Sequence, residues 1–216
     1  MRSRTERRGS GGDDGFTLVE LVIAILIIGI ITVPLGNVVI AYLRNTDATT
    51  ARLLESHDVQ IASAYWAQDV ASIGTRSTTS PYPLAQSVET GVAYNSGLYP
   101  CGPFGTPNAI VRLAWDDFSG AGAATVVRVA YVVKQTATGP TELHRLRCNG
   151  SATAVSDVIL AHVLNPATPP ALTCSTTCTA APLVPSTVTL TLTIKDPKNL
   201  DAAYVVPLTG QRRQTS

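Results

Sequence analysis

The residues whose chemistry is least suited to their surroundings stand near the N-terminus, in Gly15-Phe16-Thr17-Leu18-Val19-Glu20. Glu20 is the sole carboxylate in an apolar run that continues, with few interruptions, to about Leu43. Crossing a bilayer core takes about 20 apolar helical residues, and the stretch from Phe16 to Leu43 is long enough to do so. A carboxylate at that depth is unfavourable by roughly 2.5 to 3.5 kcal/mol, whereas each Leu, Ile, Val or Phe contributes about 0.3 to 0.6 kcal/mol in favour. Insertion therefore wins, and the stranded charge calls for a partner. Two plainer readings exist. An ordinary signal anchor would hold Glu20 at headgroup level, and a secretory signal could be cut near Pro34-Leu35-Gly36. Against the second, the apolar run resumes at Val38 where a cleaved signal would give way to polar chain.

Gly-Phe-Thr-Leu-Val-Glu leading straight into an apolar helix resembles the prepilin processing motif of the type IV pilin and type II secretion pseudopilin family. The resemblance implies that a membrane-embedded aspartyl prepilin peptidase cuts between Gly15 and Phe16 and methylates the new amino group of Phe16. It also implies the missing partner: Glu20 would pair with the N-terminal ammonium of a neighbouring subunit and so set register as subunits enter a filament. Expected partners are therefore other pilins or pseudopilins, the prepilin peptidase and the membrane. Weaker features, namely His57-Asp58 to Asp69-Val70, a loop-rich middle and the closing Leu208-Thr209-Gly210, resemble the minor pilins grouped with the PilW and pseudopilin J type.

The remaining reactive side chains point away from catalysis. Cys101, Cys148, Cys174 and Cys178 all follow the apolar segment, on the side where disulfides persist. Three pairings are possible and sequence does not decide among them; Cys174 with Cys178 and Cys101 with Cys148 is the favoured one. A metal site is not expected, because Cys174-x-x-x-Cys178 lacks a second close Cys or His pair. His57, His144 and His162 are scattered, and no Ser or Cys sits in a nucleophile motif. Asp116 and Asp117, adjacent at a strand end, point to opposite sides and read as turn caps. The Gly9 to Gly12 cluster belongs to the leader, so no phosphate-cradling loop remains, and Asn149-Gly150-Ser151 matches a glycosylation acceptor only by chance. No enzyme activity and no cofactor are expected. Arg145, Arg147, Arg212 and Arg213 are too few to argue for nucleic acid, and the net charge of +1 gives no global field toward it.

The elements that position these residues can be read in order. Residues 1–15, with Arg2, Arg4, Arg7 and Arg8 and several glycines, form a polar leader without means of building a core. Those arginines keep the N-terminus cytoplasmic by the positive-inside rule, so the rest is exported. Residues 16–43 are the transmembrane half of a long helix, in which Pro34 predicts a bend or local loosening. Residues 44–73 are its amphipathic half: Ala51, Leu54, Ile61, Ala62, Tyr65, Trp66, Val70 and Ile73 recur at helical spacing. Asp69 lies at the edge of that face, either solvated or paired with a strand arginine such as Arg112 or Arg128.

Residues 74–216 form an exported β-rich domain. The Pro- and Gly-rich stretch from Gly74 to Asn108 reads as loop, too long to lack either a surface function or short elements of its own. Alternation then marks strands at Ile110 to Trp115, Thr125 to Lys134, Glu142 to Cys148, Val155 to Leu164, Val188 to Lys195 and Ala203 to Leu208. A Gly139-Pro140 turn makes a hairpin of the second and third. Asn165 to Ser186 reads as loop, Asp196-Pro197-Lys198-Asn199 as a turn, and the tail Gln211-Arg212-Arg213 as solvated. Strands grouped after one helix imply an α+β fold, a long N-terminal helix packed on an antiparallel sheet. The reading as a whole is a structural filament subunit in the inner membrane, carried to the cell surface on assembly; the alternative is a membrane-anchored binding module for adhesion or DNA uptake.

Overall fold

The computed structural model describes residues 15, 17–119, 123–135, 139–179, 184–195 and 203–214. The leader up to Asp14, Phe16 and the Asp196-Pro197-Lys198-Asn199 turn lie outside the described residues. The chain divides into two compact units, Met1–Thr50 and Ala51–Ser216.

One helix, α1 (Leu18–Ser72), runs through both units. In the first unit its apolar side chains from Leu18 to Leu43 are all exposed, and it is the one helix among the described residues long and apolar enough to cross a membrane. The hydroxyls of Thr32, Thr46, Thr49 and Thr50 are satisfied within the helix, donating to carbonyls one turn back at 2.5 to 2.9 Å. The helical assignment continues without interruption across Pro34. Flanking hydrogen bonds hold the segment even though proline has no N–H to give.

In the second unit the helix buries Ala62, Trp66, Asp69 and Val70, the stripe expected of one amphipathic face, and Ile73 just beyond its end is buried with them. They pack on an antiparallel sheet ordered β10-β9-β7-β6-β5-β4-β3, with β8 pairing along β9. Its strands are β3 (Val88–Val92), β4 (Ala109–Asp117), β5 (Thr125–Gln135), β6 (Thr141–Asn149), β7 (Ala154–Leu164), β8 (Ala171–Cys174), β9 (Thr187–Ile194) and β10 (Tyr204–Gln211). A two-stranded ribbon of β1 (Thr75–Arg76) and β2 (Leu84–Ala85) precedes them. Gly74 to Asn108 is thus not loop throughout, since it holds three short strands, and β8 interrupts the second stretch read as loop. The architecture is α+β and pilin-like.

The sheet has two cores. On the helix side, Val111, Leu113, Val129, Tyr131, Leu143, Leu160, Val188, Leu190, Leu192 and Leu208 surround Trp66 and Val70. Trp66 Nε1 donates to the Val188 carbonyl at 3.2 Å, and its ring meets that of Tyr131 edge-on at 4.9 Å. β10 comes so close to the helix that a Cβ on Gly210 would lie 2.5 Å from Val70 Cβ. On the other side, Cys101, Ala109, Ala130, Val132, Leu146 and Cys148 form a smaller cluster under the segment that follows β3. The helix end is closed by Arg213 and Gln214. Arg213 N donates to Ala71 O at 3.0 Å and Gln214 Nε2 to Ser72 O at 3.2 Å, satisfying carbonyls that a helix leaves open. The tail is therefore docked on the helix rather than simply solvated.

Candidate functional site

The N-terminal site is built on the first turn of α1. Leu21 N donates to Thr17 O at 3.2 Å, which makes Thr17 the N-cap. Glu20 N donates to Thr17 Oγ1 at 3.3 Å, while Thr17 N reaches back to Glu20 Oε2 at 3.5 Å. Thr17 Oγ1 also lies 3.4 Å from the same carboxylate oxygen. This is a capping box, in which two otherwise orphaned backbone donors are satisfied reciprocally. The Thr-x-x-Glu spacing carries that information in the sequence; read only for membrane depth, Glu20 conceals it. The carboxylate also sits at the positive end of the helix dipole, where negative charge is favoured. Both Gly15 and Glu20 are exposed, and Phe16, the residue assigned the methylated amine, lies outside the described residues. Every large apolar neighbour of Glu20 from Leu18 to Ile31 is more than about two fifths exposed, with none packed into a core.

The other residues singled out in the sequence occupy structural positions. Cys101 bonds to Cys148 (S–S 2.03 Å, Cα–Cα 5.8 Å) and Cys174 to Cys178 (Cα–Cα 5.4 Å). Asp69 is buried and is neither solvated nor paired with Arg112 or Arg128. Its partner is Arg145, whose Nε and Nη2 donate to the two carboxylate oxygens at 2.7 and 2.6 Å. The Tyr131 hydroxyl donates to the same carboxylate at 2.6 Å, and the guanidinium stacks over Tyr65 at 4.8 Å. Register explains the choice: Tyr131 and Arg145 are directly opposed on β5 and β6 and share the helix face, whereas Arg112 and Arg128 point to the other. Burial, and then the Asp69 charge, hold the Tyr131 hydroxyl far above the ordinary tyrosine range. Burial alone would lower Arg145, but the bonds and charge of Asp69 outweigh it and raise it.

Arg112 is buried on the opposite face against Glu89 at 3.3 Å. Its guanidinium also donates to Ser96 O at 2.6 Å, to Val92 O at 3.3 Å and, over a short contact, to Ala93 O. Glu89 accepts from Leu98 N at 2.6 Å and Tyr99 N at 3.0 Å. One ion pair thereby templates the segment over the second core. Burial lowers Arg112, with Glu89 opposing.

The histidines remain apart. His57 is an exposed helix residue; His162 Nδ1 lies 3.0 Å from Asp58 Oδ2, which also accepts from His162 N at 2.9 Å. His144 sits between Asp157 (2.7 Å) and Glu142 (3.1 Å), and Asp157 also holds Lys134 at 2.5 Å. Burial would raise Asp157, but its bonds to Lys134 and His144 prevail and lower it. Asp117 accepts from Ser119 N at 2.9 Å, the turn cap expected of it, whereas Asp116 caps no turn and accepts instead from Arg76 N of β1 at 2.7 Å. Among the described residues no group of three or more His, Cys, Asp or Glu could hold a metal ion.

Glu20 in an exposed apolar helix, reached from a Gly-Phe junction, is the arrangement that a family comparison can weigh. Residues 12–36 match the model of the prokaryotic N-terminal methylation motif. The chain carries a prokaryotic N-terminal methylation motif. The methylation motif is characteristic of type IV pilins and pseudopilins, and it covers both the junction and the apolar segment as far as Gly36. Together with the exposed helix it fits single-pass membrane anchoring. No curated protein matches the chain.

Proposed function

We propose that this chain is a structural subunit, a minor pilin or pseudopilin, of a type IV pilus, competence pilus or type II secretion-like filament. Prepilin peptidase cuts between Gly15 and Phe16 and methylates the Phe16 amine. The helix then holds the subunit in the inner membrane with its N-terminus cytoplasmic and residues 74–216 exported, until assembly draws it into the filament. The observation that carries this reading is the position of Glu20: a carboxylate within the methylation motif, on an exposed apolar helix, with Thr17 as its hydrogen-bond partner among the described residues. A capping box satisfies the backbone, and among the described residues no cation is paired with the charge. An ammonium from a neighbouring Phe16 would supply one.

Mass spectrometry of the protein purified from cells that possess prepilin peptidase tests the reading. The expected mature chain begins at N-methylated Phe16. A chain beginning at Met1 in such cells would leave a membrane-tethered binding domain in place of a filament subunit.

A further inference from the structure

A cavity of about 520 Å³ lies where the β1–β2 ribbon meets the end of β4 and the start of β5. That is within the roughly 300 to 1,000 Å³ of small-molecule sites. Backbone contacts bring the three elements together. Gly74 N donates to Ala114 O at 3.1 Å and Arg76 N to Asp116 Oδ2 at 2.7 Å, which fastens the ribbon to β4. Asp116 is directly opposed to Val126 of β5, so the two line the cavity from one face of the sheet.

Two aromatic residues from separate elements line this cavity: Tyr82, from the turn between β1 and β2, and Phe118, just past β4. They are 55% and 70% exposed. Among the described residues Tyr82 is the one non-glycine with a positive φ, 58°, a conformation costly for a bulky side chain. It is held by Tyr82 N donating to Thr79 O at 2.8 Å and by Arg76 Nη1 donating to the Tyr82 carbonyl at 3.1 Å. The ring gains little packing in return, being more than half exposed. Backbone held in such conformations clusters at ligand sites. Around the rings stand the hydroxyls of Ser77 and Thr78, the Arg76 guanidinium and the Asp116 carboxylate. The charges of the last two cancel, so the lining has no net charge to draw in a polyanion or a cation. The negative faces of the aromatic rings instead attract polarised C–H groups. A fitting ligand therefore has an apolar C–H face, a rim of hydroxyls and no charge, which is the chemistry of a sugar ring.

We propose that this cavity binds a neutral glycan, with a sugar ring stacked on Tyr82 or Phe118 and its hydroxyls bonded to Arg76 and Asp116. Neither the Gly15-Phe16 junction nor Glu20 enters the site, so the proposal would survive the failure of the filament reading.

The test uses the full chain in micelles of lauryldimethylamine oxide, a detergent without a sugar headgroup, titrated with cello-, malto- and N-acetylchito-oligosaccharides. At millimolar sugar, the amide resonances of Arg76, Tyr82 and Phe118 are expected to shift saturably with at least one of them. Phe118→Ala should weaken that binding about fivefold. Tyr82→Gly, which takes a positive φ without strain, should weaken it as much with no fall in the denaturation midpoint. The absence of saturable shifts with every sugar, or affinity unchanged in both variants, would overturn the proposal. Tighter binding of oligothymidylate at the same residues would overturn the choice of a neutral ligand.

Discussion

Glu20 answers two physical demands that a single substitution can separate. As the last member of a capping box it satisfies the Thr17 N–H, a local role worth about 1 kcal/mol that glutamine fills equally well. As a charge in an apolar segment it needs a cation, which glutamine cannot attract. Glu20→Gln is therefore expected to keep helix and membrane insertion while lowering recovery in sheared filaments at least tenfold, on the order of 1.4 kcal/mol or more. Immunoblots of sheared and membrane fractions measure this. Wild-type recovery of the variant would reduce Glu20 to a cap. Asp69 is the second residue on which much depends. Removing it by Asp69→Ala leaves Arg145 and Tyr131 buried without their acceptor, at a cost of about 3 to 5 kcal/mol. Urea unfolding followed by the fluorescence of Trp66, which packs on Tyr131, reads that loss. Replacing both partners together, Asp69→Leu with Arg145→Met, should recover most of it, because no uncompensated charge then remains.

Among the elements, β10 and the helix meet too closely for any residue but glycine at position 210. Gly210→Ala is expected to destabilise the domain by about 1 to 3 kcal/mol through overpacking, seen as a lower denaturation midpoint. Val70→Ala should not rescue it, since the nearest atom is Val70 Cβ itself. Which elements were legible in the sequence follows from the same packing. β9 alternates between buried and half-buried residues along its whole length, so period-two patterning reveals it, and the helix stripe through Trp66 and Val70 is equally plain. β3 is not legible, because Val-Glu-Thr-Gly-Val is short, broken by glycine, and has a buried glutamate where a core strand should be apolar. Burial of Glu89 and Arg112 arises only because the segment after β3 folds back over the outer face. The partner of Asp69 was hidden for a related reason: alternation assigns a residue to a face, but only strand register brings Arg145 and Tyr131 side by side. The Thr17-to-Glu20 box, by contrast, was present in the spacing and needed only to be read as a cap.

At the scale of the whole molecule, the two disulfides make the folded domain depend on where it folds. Cys101–Cys148 joins residues 47 apart and fastens the segment over the second core to β6; Cys174–Cys178 closes a loop only 4 apart. Loop-closure entropy in the unfolded chain assigns about 4 kcal/mol to the first and about 2 kcal/mol to the second. The larger figure is a sizeable share of the 5 to 15 kcal/mol or so that holds a typical domain together. Replacing Cys101 and Cys148 by serine should therefore lower stability about twice as much as replacing Cys174 and Cys178, and would also strand hydroxyls in an apolar cluster. Denaturation of the two double variants tests the ranking. Equal losses would show that native packing, and not chain entropy, sets the contribution of each bridge. The same bridges bear on topology. An exported domain meets oxidising conditions and forms both, whereas one retained in the cytosol would keep its thiols reduced. Peptide mapping under non-reducing conditions from intact cells should find both bridges formed, and free thiols at all four cysteines would place residues 74–216 on the wrong side of the membrane for filament assembly.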